Sequence, residues 1–592
     1  MWLVGSSRGR DSNVGAMGYP LEPREPAVEA RSEGAVVRSS ILATRSSVRR
    51  AATSERVVQA FGVVAVLAAA AGLRIAFLGN AQLFRDEATS WYLASHSIGD
   101  MLRLGAQEPY PPLYMVLLKG WMAVFGSAED ALRMLSVVAG LGVVVVTWRW
   151  VRDALGTTEA WLAGLLVAVS PLLVVNSRNA RMYSLETLFA TTAWWLIWLL
   201  IARGGEWTGR RRAFVAAGIV ASVAGEVWSL SLGIPSAGLQ FLFVVVAAVW
   251  LRSRVSIAAA GCVAAGVLAL LPWLPNLIAT ATNGRPFWTP QPTIGALPTT
   301  FRTWFVGQGG DSWAWTLAFA AVALVGLAAL LHITRRRRSE VGVAATAAAT
   351  RCRGRLLAIA LILDFGLIPA VWVYSQIHSI YDGRYLANAF PPFAIAVAVG
   401  AVALSRGLRG RLPSLRVVPV VLLAGLVALP IIVSAFTSAQ IVADARDDTG
   451  MDPGRQVAQK LATVVQPGDV VIAVNAESFF PLSYYLYQTG EAQRLGIKLF
   501  DWHPPNSAFF TGWMDIEPSQ RVEPATVAKL GWSAAIGLAP GKSIWVVTLV
   551  NSDQQRIYFS PLEQGQLLQV DRILVAGNHR IGQIRQAVLP GP

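Results

Sequence analysis

Long apolar runs recur along this chain, parted by short polar or basic connections. A helix needs about 20 apolar residues to cross the hydrocarbon core of a bilayer. Runs of that kind occupy approximately 57–79, 131–149, 159–176, 184–202, 213–231, 234–251, 256–277, 314–333, 356–376, 387–404 and 416–436. They predict an all-α polytopic membrane domain with about eleven transmembrane helices. The run 112–125 is shorter and carries Lys119, so it reads as a twelfth span or as a helix lying in the interface. Residues 1–55 have no apolar periodicity and are rich in Arg, Ser, Gly and Glu, which predicts a disordered tail. The first long apolar run starts too far in for a cleaved signal peptide. Beyond about 440 the pattern changes. Residues 469–474 (DVVIAV) and 543–550 (SIWVVTLV) read as buried strands, with a helix at 481–488 (PLSYYLYQ). A small α/β domain is expected there.

Composition supports lipid as the solvent. Of 592 residues, 54% are hydrophobic and 14% charged, against about 25% charged in soluble domains. The net charge of +15 does not imply nucleic acid. A nucleic-acid footprint lies on one face of a folded domain, whereas these arginines stand in clusters between apolar runs. Neither Cys262 nor Cys352 has the spacing of a metal site or a disulfide framework.

The arginine clusters set an orientation, because cytoplasmic loops carry the excess of Lys and Arg. If 112–125 does not cross, one side receives Arg149 and Arg152, Arg203 and Arg210 to Arg212, Arg252 and Arg254, Arg335 to Arg338 with Arg351, Arg353 and Arg355, and Arg406, Arg409, Arg411 and Arg416. The basic N-terminal tail joins them. If it crosses, every later cluster flips outside. The interfacial reading is therefore preferred. It places the loop 80–130, the turn 177–183, the loop 278–313 and the turn 377–386 outside. The expected organisation is a cytoplasmic tail (1–55), a membrane domain (56–438) and an extracytoplasmic α/β domain (439–592), in the cytoplasmic membrane. That last domain shows no ordered acid-base cluster and is expected to bind or orient an acceptor.

The sharpest outward feature is Phe84-Arg85-Asp86-Glu87-Ala88. Adjacent carboxylates at a membrane surface are costly to desolvate. They read as a catalytic base or a metal ligand, or as an acidic helix start favoured by the helix dipole. Further along come Glu108-Pro109-Tyr110-Pro111-Pro112-Leu113-Tyr114 and Arg133-Met134-Leu135-Ser136. Ser177-Arg178-Asn179-Ala180-Arg181-Met182-Tyr183-Ser184 and Tyr381-Asp382-Gly383-Arg384-Tyr385-Leu386 follow. In this order and sidedness the motifs resemble membrane glycosyltransferases of the GT-C fold, in the branch of protein O-mannosyltransferases and lipid A aminoarabinose transferases. The likeness covers roughly residues 57–436. It implies an acidic pair at Asp86-Glu87, a proline segment at Tyr110 to Leu113, an Arg-x-x-Ser at Arg133 to Ser136, and an Arg-Tyr pair at Arg384-Tyr385. Many relatives carry His where this chain has Tyr110.

Such a reaction sets its own requirements. A donor outside the cell arrives as a lipid, here a polyprenyl-phosphate sugar. Its phosphate leaves without a general acid but needs cations for the developing charge. The acceptor hydroxyl needs a base within hydrogen-bond reach. Asp86 and Glu87 are the expected catalytic pair, with Asp86 as base of an inverting transfer. Arg384, Tyr385, Arg181, Arg178 and Tyr183 are the expected ligands of the donor phosphate and lipid. The two arginines near 180 also read as snorkelling anchors, and the tyrosines as interface-belt residues. Tyr110, Tyr114, Lys119 and Glu226 are the expected substrate contacts, though residues such as Lys119 and Arg74 are more often interfacial anchors than ligands. Asp364, inside an apolar run, reads as a structural hydrogen-bond partner, and His378 as a polar loop residue. No cofactor is required, with Mg²⁺ or Mn²⁺ the lesser reading. The acceptor could be protein, glycolipid or glycan, and the sugar mannose or arabinose. The competing readings are a lipid-linked sugar transporter, which would show inverted repeats and midplane charges, and a non-enzymatic scaffold.

Overall fold

The computed structural model describes residues 62–108, 110–282, 289–306, 313–332, 344–411, 418–446, 453–502, 516–549, 569–575 and 583–588. The expected N-terminal tail and the basic loop at 335–338 lie outside the described residues. Residues Val66–Pro592 form one compact unit.

Helices stand where the apolar runs are. They are α1 (Gly62–Ile75), then α2 (Arg85–Ser95), α3 (Ile98–Leu104), α4 (Leu113–Phe125), α5 (Glu129–Ala154), α6 (Thr157–Val169), α7 (Pro171–Ser177) and α8 (Tyr183–Arg203). Next are α9 (Gly209–Ser229), α10 (Gly233–Leu251), α11 (Arg254–Leu268), α12 (Leu274–Thr282), α13 (Ala296–Val306) and α14 (Trp313–His332). The membrane part ends with α15 (Ala344–Phe365), α16 (Leu367–Tyr374), α17 (Phe390–Arg411) and α18 (Val418–Arg446). Among the described residues, seven helical segments are long and apolar enough to cross a membrane, and the bent pair α6–α7 would make an eighth. The 59° bend of that pair falls at Ser170-Pro171, where proline lacks the N–H that would continue the helix. Helix α4 has 13 residues, about 20 Å at 1.5 Å per residue, well short of a bilayer core of about 30 Å.

Close packing in the bundle depends on small residues, as between membrane helices generally. A Cβ on Gly326 of α14 would stand 2.0 Å from the carbonyl oxygen of Ala396, and one on Gly400 of α17 would stand 1.9 Å from that of Val322. The two backbones touch there. Arg74 of α1, expected as an interfacial anchor, is instead fully buried. It donates to Ser177 Oγ at 3.1 Å and to the carbonyl of Ala168 at 2.8 Å. A buried guanidinium needs such acceptors, and the break between α6 and α7 supplies one.

The C-terminal region carries α19 (Gly454–Val464), β1 (Val470–Ala473), α20 (Ala476–Gln488), β2 (Lys498–Trp502), β3 (Arg521–Val522), β4 (Ile544–Thr548), β5 (Gln569–Val575) and β6 (Gln583–Val588). The sheet order is β3-β2-β1-β4-β6-β5. Strand β1 is parallel to both β2 and β4, while β6 is antiparallel to β4 and β5. Side chains alternate along β1 as a period of two requires. Val470 and Ile472 join one apolar cluster with Trp502 and Trp532. Val471 and Ala473 join the other with Phe479 of α20. Both faces are covered, which explains the unbroken apolar run.

This region closes directly onto the loop before α2. The backbone N–H of Leu83 donates to the Tyr485 hydroxyl at 2.7 Å. The Tyr484 hydroxyl donates to the carbonyl of Ser127 at 2.9 Å. Ion pairs Arg455–Glu129 at 2.9 Å and Arg103–Glu517 at 2.8 Å flank the contact.

Candidate functional site

Helix α2 separates the two carboxylates that stand side by side in the sequence. Successive residues of a helix point about 100° apart, at 3.6 residues per turn. Glu87 points into the bundle and is 1% exposed. Its Oε1 accepts from Arg133 Nε at 2.8 Å and from the Ala180 N–H at 2.9 Å. Its Oε2 accepts from Arg133 Nη2 at 2.7 Å and from the Phe84 N–H at 3.0 Å. The last bond is the reach-back of an N3 glutamate to the start of its helix. Arg133 also donates to the carbonyls of Leu78, Ala81 and Gln82. Four donors thus engage Glu87, and it is not open to a substrate as the sequence expectation required. Asp86 keeps 23% of its side chain exposed.

Asp86 shares its surroundings with Arg181, Glu108 and Tyr183, all close enough to sense its charge. Arg181 is 5% exposed and lies 5.3 Å from the ring centroid of Tyr110. Its Nη1 donates to the Asp86 carbonyl at 3.3 Å and to Ser90 Oγ at 3.4 Å. Burial opposes the charge on Arg181. Asp86, Tyr183, Tyr110 and Glu108 outweigh it and hold the guanidinium above its ordinary range. The Arg181 carbonyl accepts from Ser136 Oγ at 3.0 Å, and Ser136 meets the Tyr114 hydroxyl at 2.9 Å. Tyr114, expected as a substrate contact, is therefore 1% exposed and supports the turn that carries Arg181.

Three tyrosines form a wall beside this pair. The hydroxyls of Tyr110 and Tyr385 lie 3.3 Å apart. The rings of Tyr183 and Tyr385 stack with centroids 5.7 Å apart. Arg384 stands 5.9 Å from the Tyr385 centroid. It bonds the Asp382 carboxylate through Nη2 at 3.1 Å and Nε at 3.3 Å, and its own N–H donates to Asp382 Oδ1 at 2.8 Å. Burial works against the Arg384 charge, and Asp382 more than restores it. The cation expected at the donor phosphate thus arrives already oriented by an aspartate.

The structure redirects several expected residues. Arg178 donates to the carbonyls of Arg74 at 3.2 Å and Ala76 at 2.8 Å. It caps the end of α1, where carbonyls lack helical partners, and is taken from the expected phosphate set. Lys119 donates to the carbonyls of His96 at 2.7 Å and Ala94 at 3.3 Å. It closes the end of α2 for the same reason. Glu226 is fully buried and accepts from Gln240 Nε2 at 2.8 Å. Asp364, expected as a hydrogen-bond partner, is buried and faces the Trp194 indole. His378 packs its ring on Tyr374, with centroids 5.6 Å apart.

One residue given no role from sequence stands in the site. Glu108 is 8% exposed, and its Oε1 has no hydrogen-bond partner among the described residues. Burial pushes its carboxyl up to about 7, with Arg181 opposing and Asp86 adding to the rise. The available signal was a carboxylate set just before a rigid proline turn. Among the described residues, no group of three His, Cys, Asp or Glu is arranged to hold a metal ion.

Residues 109–278 match the family of dolichyl-phosphate-mannose-protein mannosyltransferases. No curated protein sequence matches the chain. The structure is similar to that of ArnT from Cupriavidus metallidurans bound to undecaprenyl phosphate. The TM-score is 0.55 at 15% identity, covering 90% of this chain and 99% of that one. The apo form of the same ArnT aligns with a TM-score of 0.55 at 15% identity, over 92% of this chain and 100% of that one. The oligosaccharyltransferase of Archaeoglobus fulgidus aligns less closely, with a TM-score of 0.45 at 13% identity over 72% of this chain and 63% of that one. At 15% identity the likeness to ArnT shows the fold alone, a helical membrane part followed by a small sheet-containing region.

Proposed function

We propose that this chain is a membrane glycosyltransferase. It moves a sugar from a polyprenyl-phosphate donor to an acceptor hydroxyl on the outer face of the cytoplasmic membrane. One observation carries the reading: Asp86, partly exposed, lies beside the buried Arg181 and a tyrosine wall that ends in Arg384. The match of residues 109–278 to dolichyl-phosphate-mannose-dependent transferases supports the class of donor. A structural neighbour carrying undecaprenyl phosphate supports the class of carrier.

The reaction is a single displacement with inversion. Asp86 accepts the proton of the acceptor hydroxyl as its oxygen bonds to the anomeric carbon. The bond from that carbon to the phosphate oxygen breaks, and polyprenyl phosphate leaves. Arg181 and Arg384 hold the phosphate charge as it grows. Glu108, neutral below about 7, adds no negative charge beside the phosphate in that range. Glu87 is a positioning residue that fixes α2 through Arg133. The C-terminal region binds or orients the acceptor. A required metal is not part of the reading. Mg²⁺ needs only one or two carboxylates with the substrate phosphate, so transfer in a chelator decides that point. The sugar is mannose or an arabinose derivative, and the acceptor a protein, glycolipid or glycan.

The test uses purified protein in vesicles with polyprenyl phosphate carrying a radiolabelled sugar and a panel of acceptors. Label moving to an acceptor, with the anomeric configuration inverted, is the expected result. Label that only crosses the vesicle membrane would replace the enzyme with a transporter. Label that stays on the donor, with no carrier bound, would leave a scaffold.

A further inference from the structure

The contact between the C-terminal region and α2 falls next to the proposed base. Arg85 opens α2 and precedes Asp86. Its Nη1 is paired with Glu477 Oε1 in the first turn of α20. Its Nε lies 3.7 Å from Asp86 Oδ1, outside hydrogen-bond distance. One guanidinium therefore stands between two carboxylates from opposite ends of the chain, and it is bonded to the far one. The far carboxylate is held in place. Asn475 caps α20 by accepting from the Ser478 N–H at 2.9 Å, and α20 is pinned to the α2 loop by Tyr485 and Leu83.

We propose that Glu477 is a positioning residue for transfer, holding Arg85 off Asp86 so that the carboxylate stays free for the acceptor proton. The proposal rests on the reading of Asp86 as the base. Its physical ground is the fork geometry of arginine, which grips a carboxylate through two parallel N–H donors. Arg85 Nε already stands 3.7 Å from Asp86 Oδ1. A bidentate Arg85–Asp86 pair would occupy the lone pairs that take the proton. It would also favour the ionised carboxylate and weaken it as a base. The other charged or titratable groups facing Asp86 are Arg181 from the turn before α8, Glu108 from the loop before α4, and Tyr183 from α8. Arg181 already supplies a cation beside Asp86, so a second arginine adds inhibition rather than activation. The C-terminal region would then act on catalysis through one ion pair, besides any contact with the acceptor.

The experiment is a double-mutant cycle on the full-length protein, read by single-turnover transfer across pH. Glu477→Gln is expected to slow transfer about tenfold. It should also move the acidic limb of the pH–rate profile to lower pH and leave donor affinity unchanged. Adding Arg85→Gln to Glu477→Gln is expected to restore the rate and the limb, because the misplaced cation is gone. A structural pin gives neither the shift nor the rescue. If the double variant is no faster than Glu477→Gln, or the limb does not move, the proposal is overturned and the pair only fastens α20 to α2. Thermal unfolding of each variant checks that slow transfer is not lost fold. Asp86→Asn, measured in parallel, separates the failures. Full transfer by Asp86→Asn removes the base assignment and this proposal with it. Loss of transfer there with wild-type behaviour of Glu477→Gln removes Glu477 alone.

Discussion

Arg133 and Glu87 meet through two parallel hydrogen bonds, Nε to Oε1 at 2.8 Å and Nη2 to Oε2 at 2.7 Å, with both side chains buried. The pair ties the start of α5 to the start of α2 and sets the angle at which Asp86 leaves the helix. Removing one partner of a buried pair costs about 3–5 kcal/mol, because the other charge is left uncompensated. Glu87→Gln is therefore expected to lower the thermal midpoint clearly, as followed by unfolding in detergent. Its folded fraction should keep more transfer than Asp86→Asn does. A Glu87→Gln protein as stable as wild type, yet as inactive as Asp86→Asn, would move the chemistry to Glu87.

Asp86→Asn keeps the shape of the side chain and removes the proton acceptor. Single-turnover transfer is expected to fall by about 10²–10⁴, the usual contribution of a general base. Donor affinity, measured by equilibrium binding of the carrier-linked sugar, should stay nearly unchanged. Lost donor binding that added Mg²⁺ restores would point instead to a metal bridging carboxylate and phosphate.

Arg384→Ala removes a cation from both the bound state and the transition state. Hydrogen bonds to charged groups are worth about 1.5–3 kcal/mol. Donor binding is expected to weaken roughly tenfold to a hundredfold, with a further loss in the rate constant. Arg384→Lys should not recover it, since lysine lacks the fork that Asp382 orients. Unchanged carrier affinity in Arg384→Ala would place the phosphate elsewhere.

Glu108 gives the site a pH dependence of definite sign. Its folded carboxyl titrates at about 7, above about 4.3 for an unperturbed glutamate. Its contribution to stability is therefore complete below the unfolded value and is lost as pH rises through about 7. Ionisation also places a second anion beside Arg181 and Asp86, so donor affinity should fall over the same range. Glu108→Gln is expected to flatten that limb and leave tight binding at pH 8. A binding curve identical in wild type and variant from pH 5 to 8 would exclude Glu108 from the site.

The orientation can be checked without activity. A cysteine placed in the loop 335–355, in protein lacking Cys262 and Cys352, is expected to resist an impermeant thiol reagent in intact cells. One placed in the loop 80–130 should react. The reverse pattern would invert the membrane topology, which rests on the arginine clusters and on α4 not crossing.

The order of helices was legible because a bilayer demands a length of apolar chain that little else produces. Strands β1 and β4 were legible because a sheet covered on both faces leaves unbroken apolar runs. The site was legible only in outline. Asp86 and Glu87 look alike in sequence, and only their directions around α2 separate the open carboxylate from the bonded one. Arg178 and Arg181 share one turn. One is spent on the carbonyls ending α1 and the other stacks over Tyr110, a choice made by the partner helix. Lys119 likewise answers to the end of α2, a contact 23 residues away. Glu108 carried no pattern of its own, and burial made it a member of the site.

The bond from Leu83 to Tyr485 spans 402 residues of chain. Domains emerge from the ribosome N-terminal end first, at about 5–20 residues per second. By the same rate the ribosome works for about 20–80 seconds between making the proposed base and making the side chain that fastens its helix. A nascent chain therefore holds Asp86 on an α2 tied only from the membrane side for that whole interval. A product truncated before Tyr485 would keep the Arg133–Glu87 tie on α2 but lack this second fastening of the loop before it.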